Sequence, residues 1–181
     1  MNNISMHILD IVQNSIRGEA RNIGILIKEN IEKNILIIGI KDNGIGMDSG
    51  LLEFVTDPFT TTRNTRKVGM GLPLLKHSAE QSNGYVKVVS EIGIGTQVHA
   101  TFQYDHIDRP PLGDISGTII LLVAANPTID FKYIHHINNK KYELDTQEIK
   151  LALGDIKISD PKIRRFLKEM ITENLHEMCV V

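Results

Sequence analysis

The segment Asp42-Asn43-Gly44-Ile45-Gly46-Met47 follows directly on an apolar run, Ile35-Leu36-Ile37-Ile38-Gly39-Ile40. The run reads as a buried strand that ends in a carboxylate, and two glycines then let the backbone turn tightly against a ligand. A carboxylate at such a strand end can accept a hydrogen bond from an amino group, for example the exocyclic amine of adenine, and so orient a flat ligand. An acidic residue before two glycines is also a common turn. Its weight here comes from three further segments in a fixed order.

Working outward, Asn34–Lys41 pairs naturally with Ile23–Lys28 across the polar stretch 29–33, as an antiparallel hairpin. Upstream, Ile4–Arg17 has helical spacing. Ile4, Ile8, Ile11, Val12 and Ser15 share one face, Asp10, Asn14 and Arg17 another, and Gly18 is the stop. Downstream, Met47–Val55 reads as a short helix and Thr60–Lys67 as loop. Leu72–Gln81 returns to helical spacing, and two strands, Tyr85–Ser90 and Thr96–Phe102, flank the turn 91–95. Asp105–Gly117, with two prolines and two glycines, reads as a linker. Beyond it the sequence predicts an apolar strand at Thr118–Ala125, then a strand pair, Ile129–Ile137 and Lys141–Leu144. Two helices follow, the last over Pro161–His176 and capped by Asp160.

The 181 residues suggest one domain, or one domain with an appendage. A chain of this size buries roughly 70% of its unfolded surface and needs no disulfide or metal staple. A net charge of -2 with interspersed signs argues against a dedicated nucleic-acid surface, though not against a local basic patch. Cys179 is the only cysteine, so no disulfide forms within the chain. There is neither a signal-peptide pattern nor an apolar run near the roughly 20 residues that span a bilayer, so a cytoplasmic protein is expected.

Asp10 and Asn14 project side by side, one helical turn apart. An amide oxygen can ligate a hard cation and a carboxylate can orient or deprotonate a nucleophile, which suits a magnesium-nucleotide site. A solvated polar pair is the alternative. In the second segment, Gly69-Met70-Gly71-Leu72-Pro73, two glycines feed a helix start, which presents free amides and the positive dipole end to phosphate. Arg63, Arg66 and Lys67 add positive charge beside it. An ordinary glycine turn is the alternative there, and no Walker pattern occurs. In the third, Gly93-Ile94-Gly95-Thr96, the threonine hydroxyl can reach a ligand or a water beside Asp42, or simply serve a hairpin turn.

Taken in order, these four segments resemble the GHKL superfamily, which groups gyrase, Hsp90, histidine kinases and MutL, over roughly residues 4–104. The resemblance implies an α+β fold: the two-layer α/β sandwich called the Bergerat fold, here with a small α/β C-terminal extension. It implies an ATP-binding unit over residues 1–104 and an extension over 105–181. It assigns Asn14 to magnesium, Asp42 to the adenine amine, and Thr96 to adenine recognition through water. Gly44, Gly46, Met47, Arg63, Lys67, Gly69, Met70, Gly71 and Leu72 are then the other nucleotide-binding positions. Asp10 falls where many members carry a glutamate acting as general base, and the shorter aspartate departs from that pattern.

Thr56-Asp57-Pro58-Phe59-Thr60-Thr61-Thr62-Arg63 looks like the F-box of histidine kinases. The short stretch from Phe59 to Gly69 implies a small lid that covers ATP incompletely, and so modest affinity or rapid nucleotide exchange. Too few residues precede Asp10 for a phosphoacceptor hairpin. His106 echoes an acceptor box, yet Ile107 stands where an acid belongs, and Pro110, Pro111 and Gly113 break the required helix. His7, His135 and His136 read as packing or surface residues, the last two on opposite strand faces.

The resemblance therefore implies ATP and Mg2+ as cofactors, and either an ATPase or a protein kinase acting on an acceptor in trans, as in anti-sigma serine kinases. A non-catalytic, ATP-gated regulatory module is the alternative. The expected partners are a nucleotide and a protein bound in trans, with a homodimer compatible and neither nucleic acid nor membrane involved. Residues 105–181 read as a partner or dimer surface, or as a plain extension of the sheet with covering helices.

Overall fold

A computed structural model describes residues 3–56 and 71–179. Six helices and six strands follow in the order α1 (Ile4–Arg17), β1 (Asn22–Asn30), β2 (Ile35–Asp42), α2 (Ser49–Phe54), α3 (Gly71–Gln81), β3 (Val86–Glu91), β4 (Gly95–Gln103), α4 (Ile115–Ala125), β5 (Asp130–Ile137), β6 (Lys140–Asp145), α5 (Thr146–Leu153) and α6 (Pro161–Cys179). The strands form one mixed sheet ordered β3-β4-β2-β1-β5-β6. This is the expected α+β architecture.

Period-2 burial builds the sheet. In β1, Ile23, Ile25 and Ile27 point into the core while Gly24, Leu26 and Lys28 alternate to the other face. The β1–β2 pairing places Ile23 opposite Asp42 and Glu29 opposite Leu36. The Asp42 end and the Glu29 end are therefore separated by six residues, about 20 Å along the strand. One cluster of buried side chains joins α1, α3, α4 and α6 to the inward faces of β1, β2, β4, β5 and β6.

The expected strand at Thr118–Ala125 is instead helix α4, and topology gives the reason. Strand β5 runs parallel to β1. Since β1 and β4 are both antiparallel to β2, the β4-to-β5 connection joins parallel strands and needs a long crossover. Helix α4 supplies it, with the Asp114 side chain accepting a hydrogen bond from the Gly117 amide at 2.8 Å as its N-cap. Its apolar run carries no face signal because it packs against α1, α6 and β5 together. The stretch read as a linker is a strap: Pro111 and Leu112 carbonyls accept hydrogen bonds from the Ile4 and Ser5 amides, both at 2.9 Å. Those amides open α1, where helix donors have no intrahelical partner.

Beyond β1, strands β5 and β6 continue the same sheet. A buried polar chain crosses that seam. Glu29 Oε1 lies 2.8 Å from His135 Nε2, and His135 Nδ1 lies 2.6 Å from the Tyr133 hydroxyl. Glu29, His135 and Tyr133 are 6%, 2% and 0% exposed, so the pairing is the means by which this acid can be buried at all. Among the described residues, no helix is long and apolar enough to cross a membrane.

Candidate functional site

At the C-terminal end of β2 the Asp42 carboxylate is 9% exposed. Its Oδ2 accepts a hydrogen bond from Ser15 Oγ at 2.6 Å. Its Oδ1 accepts from the Gly44 amide at 2.9 Å and the Thr96 amide at 3.2 Å. The acid is thus held from α1, from its own loop and from the start of β4. Such donors fix the orientation of the carboxylate.

The loop after Asp42 is clamped at both ends. The Asn43 side-chain oxygen accepts from the Arg21 and Asn22 amides at 2.9 and 2.8 Å, and the Ile45 amide donates to the Gly18 carbonyl at 2.8 Å. A Cβ on Gly44 would stand 2.4 Å from the Gly18 carbonyl oxygen. Gly46 has φ +69° and its Cβ would stand 1.9 Å from the Glu91 oxygen. Glycine at both positions is therefore demanded by the neighbouring chain. Gly95, at φ +130°, likewise presses against the Asp42 carbonyl.

Ser90 joins the pieces. It accepts from the Met47 amide at 2.9 Å, donates to the Gly95 carbonyl at 3.0 Å, and lies 2.8 Å from the Thr96 hydroxyl. Neither Ser90 nor the Ser15 hydroxyl was legible as a site residue. Serine is frequent everywhere, and no local spacing marks a hydroxyl that acts across the fold.

On α1, Asp10 and Asn14 are both half-buried. Gly71, the first residue of α3, packs directly on Asp10: a Cβ there would stand 3.0 Å from Asp10 Cβ and 3.4 Å from Oδ2. The described part of the second glycine segment thus meets the carboxylate on α1 at Gly71, and Leu72 is buried. Arg63, Lys67, Gly69 and Met70, and the F-box-like stretch after Thr56, lie outside the described residues. An amide oxygen and a carboxylate one helical turn apart are hard oxygen donors, of the type that a magnesium ion takes.

The three histidines read as packing or surface residues stand as follows. His7 is 1% exposed, and its Nε2 lies 3.2 Å from the Ser78 hydroxyl on α3. Burial pushes its pKa down to about 4. His135 is buried and His136 half-buried on the opposite face.

Comparison with known proteins bears on the fold and the family. Sporulation kinase E of Bacillus subtilis is 33% identical over 102 residues, covering 55% of this chain and 14% of the kinase. The autoinducer 2 sensor kinase/phosphatase LuxQ of Vibrio cholerae is 30% identical over 146 residues, covering 69% of this chain and 17% of its own length. The chain thus spans about a sixth of the length of these curated relatives. Among solved structures, the Aquifex aeolicus MutL ATPase domain complexed with ADP superposes with a TM-score of 0.53 at 14% identity, covering 94% of this chain and 70% of that one. The N-terminal domain of a DNA repair protein gives a TM-score of 0.57 at 17% identity, over 80% and 53% of the two chains. The family described as histidine kinase-, DNA gyrase B- and HSP90-like ATPase matches residues 3–106, and the chain belongs to it.

Proposed function

We propose that this chain binds ATP with magnesium and transfers the terminal phosphoryl group to water or to a protein acceptor supplied in trans. The observation that carries the reading is the Asp42 carboxylate, fixed at the end of a buried strand by Ser15, Gly44 and Thr96. In this reading Asp42 accepts a hydrogen bond from the adenine amine, and Thr96 assists through water. The nucleotide passes along Gly44, Gly46 and Met47 toward the start of α3. There Gly71 and Leu72, with Arg63, Lys67, Gly69 and Met70, receive its phosphates by backbone amides and positive charge. The Asn14 amide oxygen would hold the magnesium, whose charge would offset that of the phosphates. Asp10, half-buried against Gly71, orients the incoming nucleophile and takes its proton. Residues 1–104 form the nucleotide-binding unit and residues 105–181 its extension.

A second reading is a non-catalytic switch, in which ATP binding alone regulates a partner. It is favoured by Asp10, one methylene shorter than the family's usual glutamate and packed against Gly71, which limits its reach. Phosphate release measured with parent protein, Asp42→Asn and Asp10→Ala separates the two. Turnover that stops in Asp10→Ala while binding persists supports the enzyme. Binding in the parent with neither phosphate release nor labelling of protein from γ-labelled ATP in a cell extract supports the switch.

A further inference from the structure

All the core-forming side chains lie on one face of the sheet. The strand register shows what the other face carries. Leu26 stands between Gly39 on β2 and Ile134 on β5, and Ile37 is opposite Lys28. Leu26, Ile35, Ile37 and Ile134 are half-buried, yet none belongs to the core cluster. They form a strip over three adjacent strands. Gly39, with the Leu26 side chain 3.4 Å from where its Cβ would be, keeps the middle of the strip low. Two strand spacings make the strip about 10 Å wide, which matches the diameter of one helix.

Charge surrounds the strip unevenly. The cross-strand rows put Lys28, Lys41 and Lys87 on this face, with Lys132 and Lys141 toward its other side. The acids of the face are Glu91, Asp130, Glu143 and Asp145; Asp130 pairs with Lys150, and Glu91, at the end of β3, has no ion pair among the described residues. Lys132 and Lys141 both pair with Glu143, while the Asp145 carboxylate accepts from the Gln147 amide at the start of α5. Among the described residues Lys28, Lys41 and Lys87 have no ion-pair partner. A chain of net charge -2 therefore keeps its uncommitted positive charge beside an uncovered aliphatic strip. None of the strip's own residues is aromatic; His99 stands opposite Gly39 on β4, with the exposed Tyr85 ring tilted against it.

We infer that this face docks an amphipathic helix from a partner protein, apolar along one stripe and flanked by glutamate or aspartate. The aliphatic stripe would fill the trough over Gly39, and the acids would reach Lys28, Lys41 and Lys87. A second helical layer on a sheet already covered on its other face is a common solution for burying such a strip. The inference stands apart from the nucleotide site, which lies on the opposite face.

The test uses the full chain, methyl-labelled at Ile and Leu, with designed helical peptides of about 18 residues, or five turns. One carries a leucine stripe flanked by glutamates; the other has lysines in their place. The expected result is binding of the glutamate peptide at least ~10-fold tighter than the lysine peptide, weakened ~10-fold by Lys28→Glu with Lys87→Glu. Methyl shifts should fall on Leu26, Ile37 and Ile134. Equal affinity for both peptides, shifts confined to other surfaces, or binding of single-stranded DNA in preference to the glutamate peptide would overturn it. So would self-association that the same lysine substitutions abolish, since the occupant would then be a second copy of this chain.

Discussion

The Ser15 hydroxyl on α1 stands 2.6 Å from Asp42 Oδ2 at the end of β2, so the helix carrying Asp10 and Asn14 is tied to the carboxylate proposed to read the base. The bond spans 27 residues of sequence and fixes both orientation and burial of the acid. A hydrogen bond to a charged group contributes about 1.5–3 kcal/mol. Ser15→Ala is therefore expected to weaken ATP binding roughly tenfold and lower stability by about 1–2 kcal/mol. Calorimetry and urea unfolding check both; unchanged affinity would remove Ser15 from the account.

Two glycines in the same neighbourhood separate strain from collision. Gly46→Ala adds a Cβ 1.9 Å from the Glu91 oxygen at φ +69°, whereas Gly93 has φ +78° with open space beyond. Gly93→Ala should cost only the left-handed penalty of about 1–2 kcal/mol. Gly46→Ala should cost on the order of 3 kcal/mol or more and impair nucleotide binding. Chemical denaturation of the pair decides this, and equal losses would contradict the packing argument.

The Glu29–His135 pair joins strands far apart in sequence, at 2.8 Å and nearly out of solvent. Removing one partner of such a pair costs about 3–5 kcal/mol; without His135, Glu29 keeps only the Tyr104 hydroxyl among the described residues, which sets the loss at the lower end of that range. His135→Ala should lose stability on that scale, while Glu29→Leu with His135→Ala should recover part of it. A double-mutant cycle measures the difference; additive losses would show that the contact contributes nothing of its own.

His7 gives a pH signature. Burial holds its folded pKa down at about 4, below the unfolded value of 6.5. Between these values the unfolded chain binds a proton that the folded chain refuses, so this contribution is fully present above pH 6.5 and lost as pH falls toward 4. His7→Gln keeps a polar group near Ser78 without that titration. Its unfolding midpoint should fall less than the parent's between about pH 7 and about pH 4.5. Equal falls would show that His7 is not the source.

Much of the fold was readable because its signals are local. The bounds of α1 come from apolar spacing and a glycine stop, and β2 from the apolar run Ile35–Ile40, followed by Lys41 and Asp42-Asn43-Gly44. Helix α4 was misread because a segment packed against α1, α6 and β5 shows no face, and its β-branched residues then mimic a strand. The carboxylate and glycine positions were visible as ordered segments. Ser15 and Ser90 were not, since each acts through one hydroxyl on a partner set by tertiary structure. The pairing of Glu29 with His135, 106 residues apart, follows only from β5 lying parallel to β1. Nothing in either stretch alone foretells it.

The central claim is that Asp42 reads an adenine base, and isothermal titration of the full chain with ATP and ADP plus magnesium tests it most directly. Parent protein should bind both nucleotides, and Asp42→Asn should lose at least ~100-fold in affinity while melting as a folded protein, the scale of about 3 kcal/mol expected for a buried charged acceptor. Parent protein that gives no binding heat at several temperatures, or Asp42→Asn that binds as tightly as the parent, would contradict the account.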